Sequence, residues 1–176
     1  MPLGGNMRVK RWWVLSLGLL LAFALAQSRN DIRLDLKAFR VLSVQEQGRT
    51  VERLEAALDA KPGQLIEYQL NAQNTTDNPL RQVVLIIPIP ANTAYLALSA
   101  QPLRLGETLV AAEFSFDGGK SYGSPPLKRK VRVVENGKEV EKEVEVKPEE
   151  YTHARWVLPE LGAKQSVLLK LRTVVR

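Results

Sequence analysis

After residue 30, apolar and polar positions alternate with a period of two along most of the chain. Ile32, Leu34, Leu36 and Ala38 alternate with Arg33, Asp35 and Lys37, the pattern of a strand buried on one face. Residues 50–58 fit either a helical turn or a strand, and the strands around them make a strand the expectation. Lys61-Pro62-Gly63 is a turn, because proline presets φ and glycine accepts a positive one. Ile66, Tyr68, Leu70 and Ala72 then alternate with Glu67, Gln69, Asn71 and Gln73, the cleanest strand of the chain. A turn cluster follows over 74–79. Residues 83–87 are continuously apolar and largely β-branched, which predicts a strand buried on both faces or spanning the sandwich core, ended by Pro88 and Pro90. Tyr95, Ala97 and Ser99 alternate with Leu96 and Leu98. Ala154, Trp156 and Leu158 form one late strand, with Trp156 expected in the core. Past a turn over 159–164, Val167, Leu169, Leu171, Thr173 and Val175 form the last. Short strands with turn signals every 8–12 residues or so predict an all-β antiparallel β-sandwich. One such domain is expected over 27–176.

The first 26 residues have a different pattern. Arg8, Lys10 and Arg11 precede an apolar run that begins at Trp12 and closes on Ala24-Leu25-Ala26. A positive start, a short apolar run and an Ala-x-Ala end predict a helical signal peptide over 1–26 and an exported product: periplasmic, surface-bound or extracellular. The run falls short of the ~20 residues that a transmembrane helix needs. The alternative is an uncleaved anchor, the one membrane attachment expected. No apolar tail precedes Arg176, so any other attachment is expected to be non-covalent.

Residues 128–150 carry seven basic residues and seven glutamates, so their net charge is zero. Asn136-Gly137 at the centre is a strong signal for a two-residue hairpin turn. Placing the turn there fixes the register. Glu135 meets Lys138, Arg132 meets Glu141, Lys130 meets Glu143, and Lys128 meets Glu145. The last three pairs share a face with Val134. The other face holds Leu127, Val131, Val133, Val140, Val144 and Val146, interrupted by Arg129 and Lys142. Each opposite-charge pair contributes roughly 0.2–1 kcal/mol, and a one-residue slip reverses both faces. The segment is therefore expected to be a long amphipathic hairpin inserted in the sandwich. Its valine face either packs on the body or docks on a partner. Lys128, Lys130, Arg132, Glu141, Glu143 and Glu145 form the candidate interaction surface.

Composition narrows the chemistry. The 176 residues include no Cys and one His, so disulfides, cysteine metal sites and a cysteine nucleophile are excluded. The formal charge is +6, and losing Arg8, Lys10 and Arg11 with the leader takes it to +3. That is too mild for a nucleic-acid-binding domain, and the glutamates opposite Lys128-Arg129-Lys130 neutralise that triplet. No catalytic residue, cofactor or metal is expected. His153 reads as a half-exposed strand residue. The Ser115–Tyr122 stretch, Ser-Phe-Asp-Gly-Gly-Lys-Ser-Tyr, resembles the Asp-box hairpin turn of sialidase-like propellers. Asp117 would accept backbone N–H groups there, and Gly118 and Gly119 would supply positive φ. One copy makes no propeller, so a structural turn is expected. Asn74-Thr75-Thr76 fits a glycosylation sequon but reads as turn chemistry.

Residues 61–100 and 151–175 resemble the domain-of-unknown-function-11 family, an immunoglobulin-like repeat of bacterial envelope and surface proteins. The matching residues are Lys61-Pro62-Gly63-Gln64-Leu65-Ile66-Glu67-Tyr68, Asn71 through Asp77, Ile89-Pro90-Ala91-Asn92-Thr93, Trp156-Val157-Leu158 and Leu161-Gly162-Ala163-Lys164-Gln165. The chain departs from the family in the apolar Ile86-Ile87-Pro88-Ile89-Pro90 and in carrying one copy. The resemblance implies an immunoglobulin-like sandwich with a structural or adhesive role and no catalytic residues. The expected function is thus an exported, non-catalytic module of the cell envelope that binds an envelope protein or polysaccharide. The alternative is a secreted carbohydrate-binding module that uses Tyr95, Tyr122 and Tyr151.

Overall fold

The computed structural model describes residues 31–135 and 137–176, so the expected leader over 1–26 and Asn136 lie outside the described residues. In chain order the strands are β1 (Ile32–Glu46), β2 (Arg49–Ala56), β3 (Leu65–Asn74), β4 (Leu80–Pro88), β5 (Thr93–Tyr95) and β6 (Leu103–Leu105). They continue with β7 (Thr108–Val110), β8 (Glu113–Ser115), β9 (Lys128–Glu135), β10 (Lys138–Glu145), β11 (His153–Leu161) and β12 (Ser166–Val175). Among the described residues one 3-10 turn is present, at Pro148–Glu150. Five strands form one sheet in the order β2-β1-β3-β12-β5, and three form another in the order β4-β11-β8. β6–β7 and β9–β10 are separate hairpins. Every pairing is antiparallel.

The period-two pattern buries one face of each main sheet. Leu70 and Ala72 on β3 pair with Leu169 and Val167 on β12, and all four are buried. Ala154, Trp156 and Leu158 come from β11, where none of the three is exposed. These residues join one apolar cluster between the sheets. Burying each of the larger side chains contributes about 1.5–3 kcal/mol. Asn74 locks one end. Its amide nitrogen donates to the carbonyls of Asn78 (2.8 Å), Leu161 (3.1 Å) and Gly162 (2.8 Å), and its oxygen accepts from Thr76. A side chain so engaged is a turn staple, not a glycan acceptor.

The strand expected over 50–58 is present as β2. It pairs with the far half of β1 in a hairpin turned at Gln47 and Gly48. Three expectations are corrected. Residues 83–87 alternate: Val83, Leu85 and Ile87 are buried, whereas Val84 and Ile86 are 51% and 41% exposed. β4 is an edge strand with one face to the core, and β-branched residues favour a strand without deciding which faces it buries. The strand expected through Ser99 stops at Tyr95, because Leu98 adopts φ +64 and leaves the extended region. Finally, Leu34 and Leu36 share the core-facing side of their sheet with Ala72 and Leu70, yet are 58% and 45% exposed. Three strands are too few to cover five.

Candidate interaction surface

β9 and β10 pair in the register that the Asn136-Gly137 turn dictates, with Glu141 opposite Arg132, Glu143 opposite Lys130 and Glu145 opposite Lys128. Gly137 has φ +75, which glycine adopts without penalty. At the root, Val146 N–H donates to Leu127 O (2.8 Å), and both residues are buried. Arg129 reaches Glu150 at 2.6 Å and ties the root to the 3-10 turn. Beyond it, the hairpin forms a sheet of its own. Val131, Val133, Val140 and Val144 are only half-buried, so the body does not close over this face. The hairpin is an arm.

Its ion pairs differ in detail from those expected. Lys128 contacts Glu143 at 3.8 Å and Lys130 contacts Glu141 at 3.6 Å, both diagonal to the register, and Glu135 pairs with Lys142 in place of Lys138. Strand twist brings one diagonal neighbour closer, and long side chains reach it. These groups are exposed, so each pair contributes little and the register rests on the turn and the valine stripe.

The Asp117 turn has the expected chemistry. Asp117 Oδ1 accepts from Ser115 Oγ (2.7 Å) and from the N–H groups of Lys120 and Ser121 (3.0 Å each), and Oδ2 accepts from Ser121 Oγ (2.5 Å). Gly118 and Gly119 have φ +79 and +85. The hydroxyls of Ser121 and then Ser115 hold the carboxyl well below the usual carboxylate range. Both oxygens serve the turn.

The aromatic residues are arranged differently from the carbohydrate-binding alternative. Tyr95 and Tyr151 are 5% and 4% exposed and pack with Phe114, their ring centroids 4.8 to 5.9 Å apart. They are core residues and offer no stacking platform. Tyr122 is half-buried, and the Arg155 guanidinium, held by Glu113, lies 4.1 Å from its ring centroid. His153 is half-buried beside Thr152, with Nδ1 3.1 Å from the hydroxyl.

Two features have no signal in the sequence. Arg172 bridges Glu67 (2.8 Å) and Glu52 (2.7 Å), residues 105 and 120 positions away, and its guanidinium lowers the Glu52 pKa. The contact draws β2 toward β12, alongside an open groove of about 620 Å³ that Leu96, Leu98 and Lys170 also line. The second is the uncovered apolar surface at Leu34 and Leu36 on one sheet and at Val84 and Ile86 on the other. Alternation locates such residues on a face but carries no information on what lies across from them.

Comparison with family models, with curated proteins and with solved structures finds no match for this chain.

Proposed function

We propose that this protein is an exported, non-catalytic immunoglobulin-like module of the bacterial cell envelope that binds a protein partner through its β9–β10 arm. The observation that carries this reading is the arm itself, an amphipathic hairpin paired to no other strand among the described residues, with a valine stripe left half-buried. An apolar stripe rimmed by charges of both signs suits a protein surface better than a polysaccharide or an anionic lipid. The leader-like pattern of residues 1–26 supports export, and the resemblance of residues 61–100 and 151–175 supports the envelope setting.

The test is photo-crosslinking in cells from a reactive residue at Val133, with one at the exposed Lys170 on β12 as control, followed by fractionation. The expected result is a discrete protein adduct from Val133 alone, recovered with the envelope. Absence of an adduct at Val133, or recovery of the protein with the cytosol, would refute the reading.

A further inference from the structure

The two main sheets differ in width, and the difference falls at one place. β8 stacks on β5 through Phe114 and Tyr95. The connections 75–79 and 162–165 are tight, so β4 lies over β3 and β11 over β12. Among the described residues no strand of the smaller sheet lies over β1 at Leu34 and Leu36, whose core-facing side chains are open. The strand position beside β4 and above β1 is vacant among the described residues.

The backbone of β4 is prepared for a neighbour there. Ile89 N–H donates to Thr152 O, and hydrogen-bonded pairs alternate along an antiparallel ladder. The N–H and C=O groups of Val84 and Ile86 therefore point away from β11, toward the vacant position. Pro88, which has no N–H, and Gln82 at φ +52 bound this window. A strand added to β4 covers the leucines, whereas one added to β1 extends that sheet and leaves them open.

The arm matches the vacancy in parity. The bond from Val146 N–H to Leu127 O makes those two a hydrogen-bonded pair, so residues 129, 131 and 133 face their partners within the arm. The backbone groups that point out of the arm then belong to Lys130, Arg132, Glu141 and Glu143, on the charged face. When these groups pair with Val84 and Ile86, directly opposite residues share a side. Lys130, Arg132, Glu141 and Glu143 then lie on the outer surface and the arm's valines face inward, onto Leu34 and Leu36, with the Glu135–Lys142 ion pair on that same side. The opposite parity would turn the wholly charged run Lys128, Lys130, Arg132, Glu141, Glu143 and Glu145 inward.

We propose that the arm of a second copy of this chain fills that position, adding a strand to β4 and closing over Leu34 and Leu36. The proposal rests on the arm-binding reading above and names the partner. The arm cannot serve its own body. Leu127 at its root packs by Gly123, which bridges to Phe114 on β8, and β8 is at the opposite edge of its sheet from β4. Donor and acceptor surfaces lie on opposite sides of each copy, so the contact is head-to-tail and extends to further copies.

The chain has no cysteine, so introduced thiols are the only ones present. The full chain, expressed in an exporting host, is prepared with Val84→Cys plus Arg132→Cys, and with Val84→Cys plus Glu141→Cys. Each is treated with a short bis-maleimide. The expected product is a ladder of covalent multimers in at least one of the two, lost when Leu34→Glu and Leu36→Glu are added. If that variant fails to fold by circular dichroism, Val133→Glu with Val140→Glu reads the same contact from the arm. A ladder that survives the glutamates overturns the proposal, as do products that stop at dimers and a chain that stays monomeric. A Val133 adduct to a different envelope protein, with no ladder, overturns the proposal and leaves the arm-binding reading standing. No Val133 adduct and no ladder overturns both.

Discussion

Asn74 and Asp117 show what single side chains contribute here. The Asn74 amide faces three carbonyls from two separate segments. Asn74→Ala strips the buried Leu161 carbonyl and the two part-buried ones of their donor and is expected to cost about 1–3 kcal/mol. Asn74→Asp sets a carboxylate against the same carbonyls and is expected to cost more. Urea unfolding midpoints check both the size and the order. Alongside Glu150, whose carboxyl Arg129 holds low, Asp117 and Glu52 shape the response to acid. Both have folded-state pKa values below the unfolded ones, which lie near ~3.9 for Asp and ~4.3 for Glu. Their stabilisation is therefore fully present above that range and is lost as pH falls below it toward the lower folded-state values. Stability should decline below about pH 4, and Asp117→Asn should make the decline shallower. Denaturant titrations across that interval measure the slope. Gly119 tightens the same turn: a Cβ there would meet the Tyr122 hydroxyl at 3.1 Å at an already positive φ.

At the scale of the element, the arm is legible in the sequence because its information is local. A two-residue turn and an alternation of valine with charge fix every partner from Glu135–Lys138 to Lys128–Glu145. The diagonal ion pairs are not legible, since they depend on the twist that the pairing acquires. β4 departs from its expected burial for the reverse reason. Its residues announce a strand, but the burial of Val84 and Ile86 depends on a neighbour elsewhere in the chain. Because the arm forms its own sheet, damage to it should stay local. Gly137→Val puts a β-branched residue at φ +75, at a cost of about 1–2 kcal/mol. Hydrogen exchange should accelerate across β9 and β10 while the protection of β3, β11 and β12 and the melting temperature of the body hold.

Across the whole molecule, the strands are readable from the chain and their stacking is not. Trp156 takes the core position that its pattern predicts, because a large apolar residue on an alternating strand has few other sites. The uncovered leucines and the Glu52–Arg172–Glu67 bridge are set by which strands are neighbours, and pairings such as β3 with β12 join residues about a hundred positions apart. The β6–β7 hairpin has no sequence signal either, its three-residue strands being too short to establish a period. The separateness of the arm has one more consequence. Eight residues of extended chain span roughly 26 Å, so the tip at Gly137 stands that far from the root at Leu127. A foreign peptide spliced in beside Gly137 would ride on a stalk clear of the hydrophobic interior, which makes this turn the natural place to display a tag or an antigen.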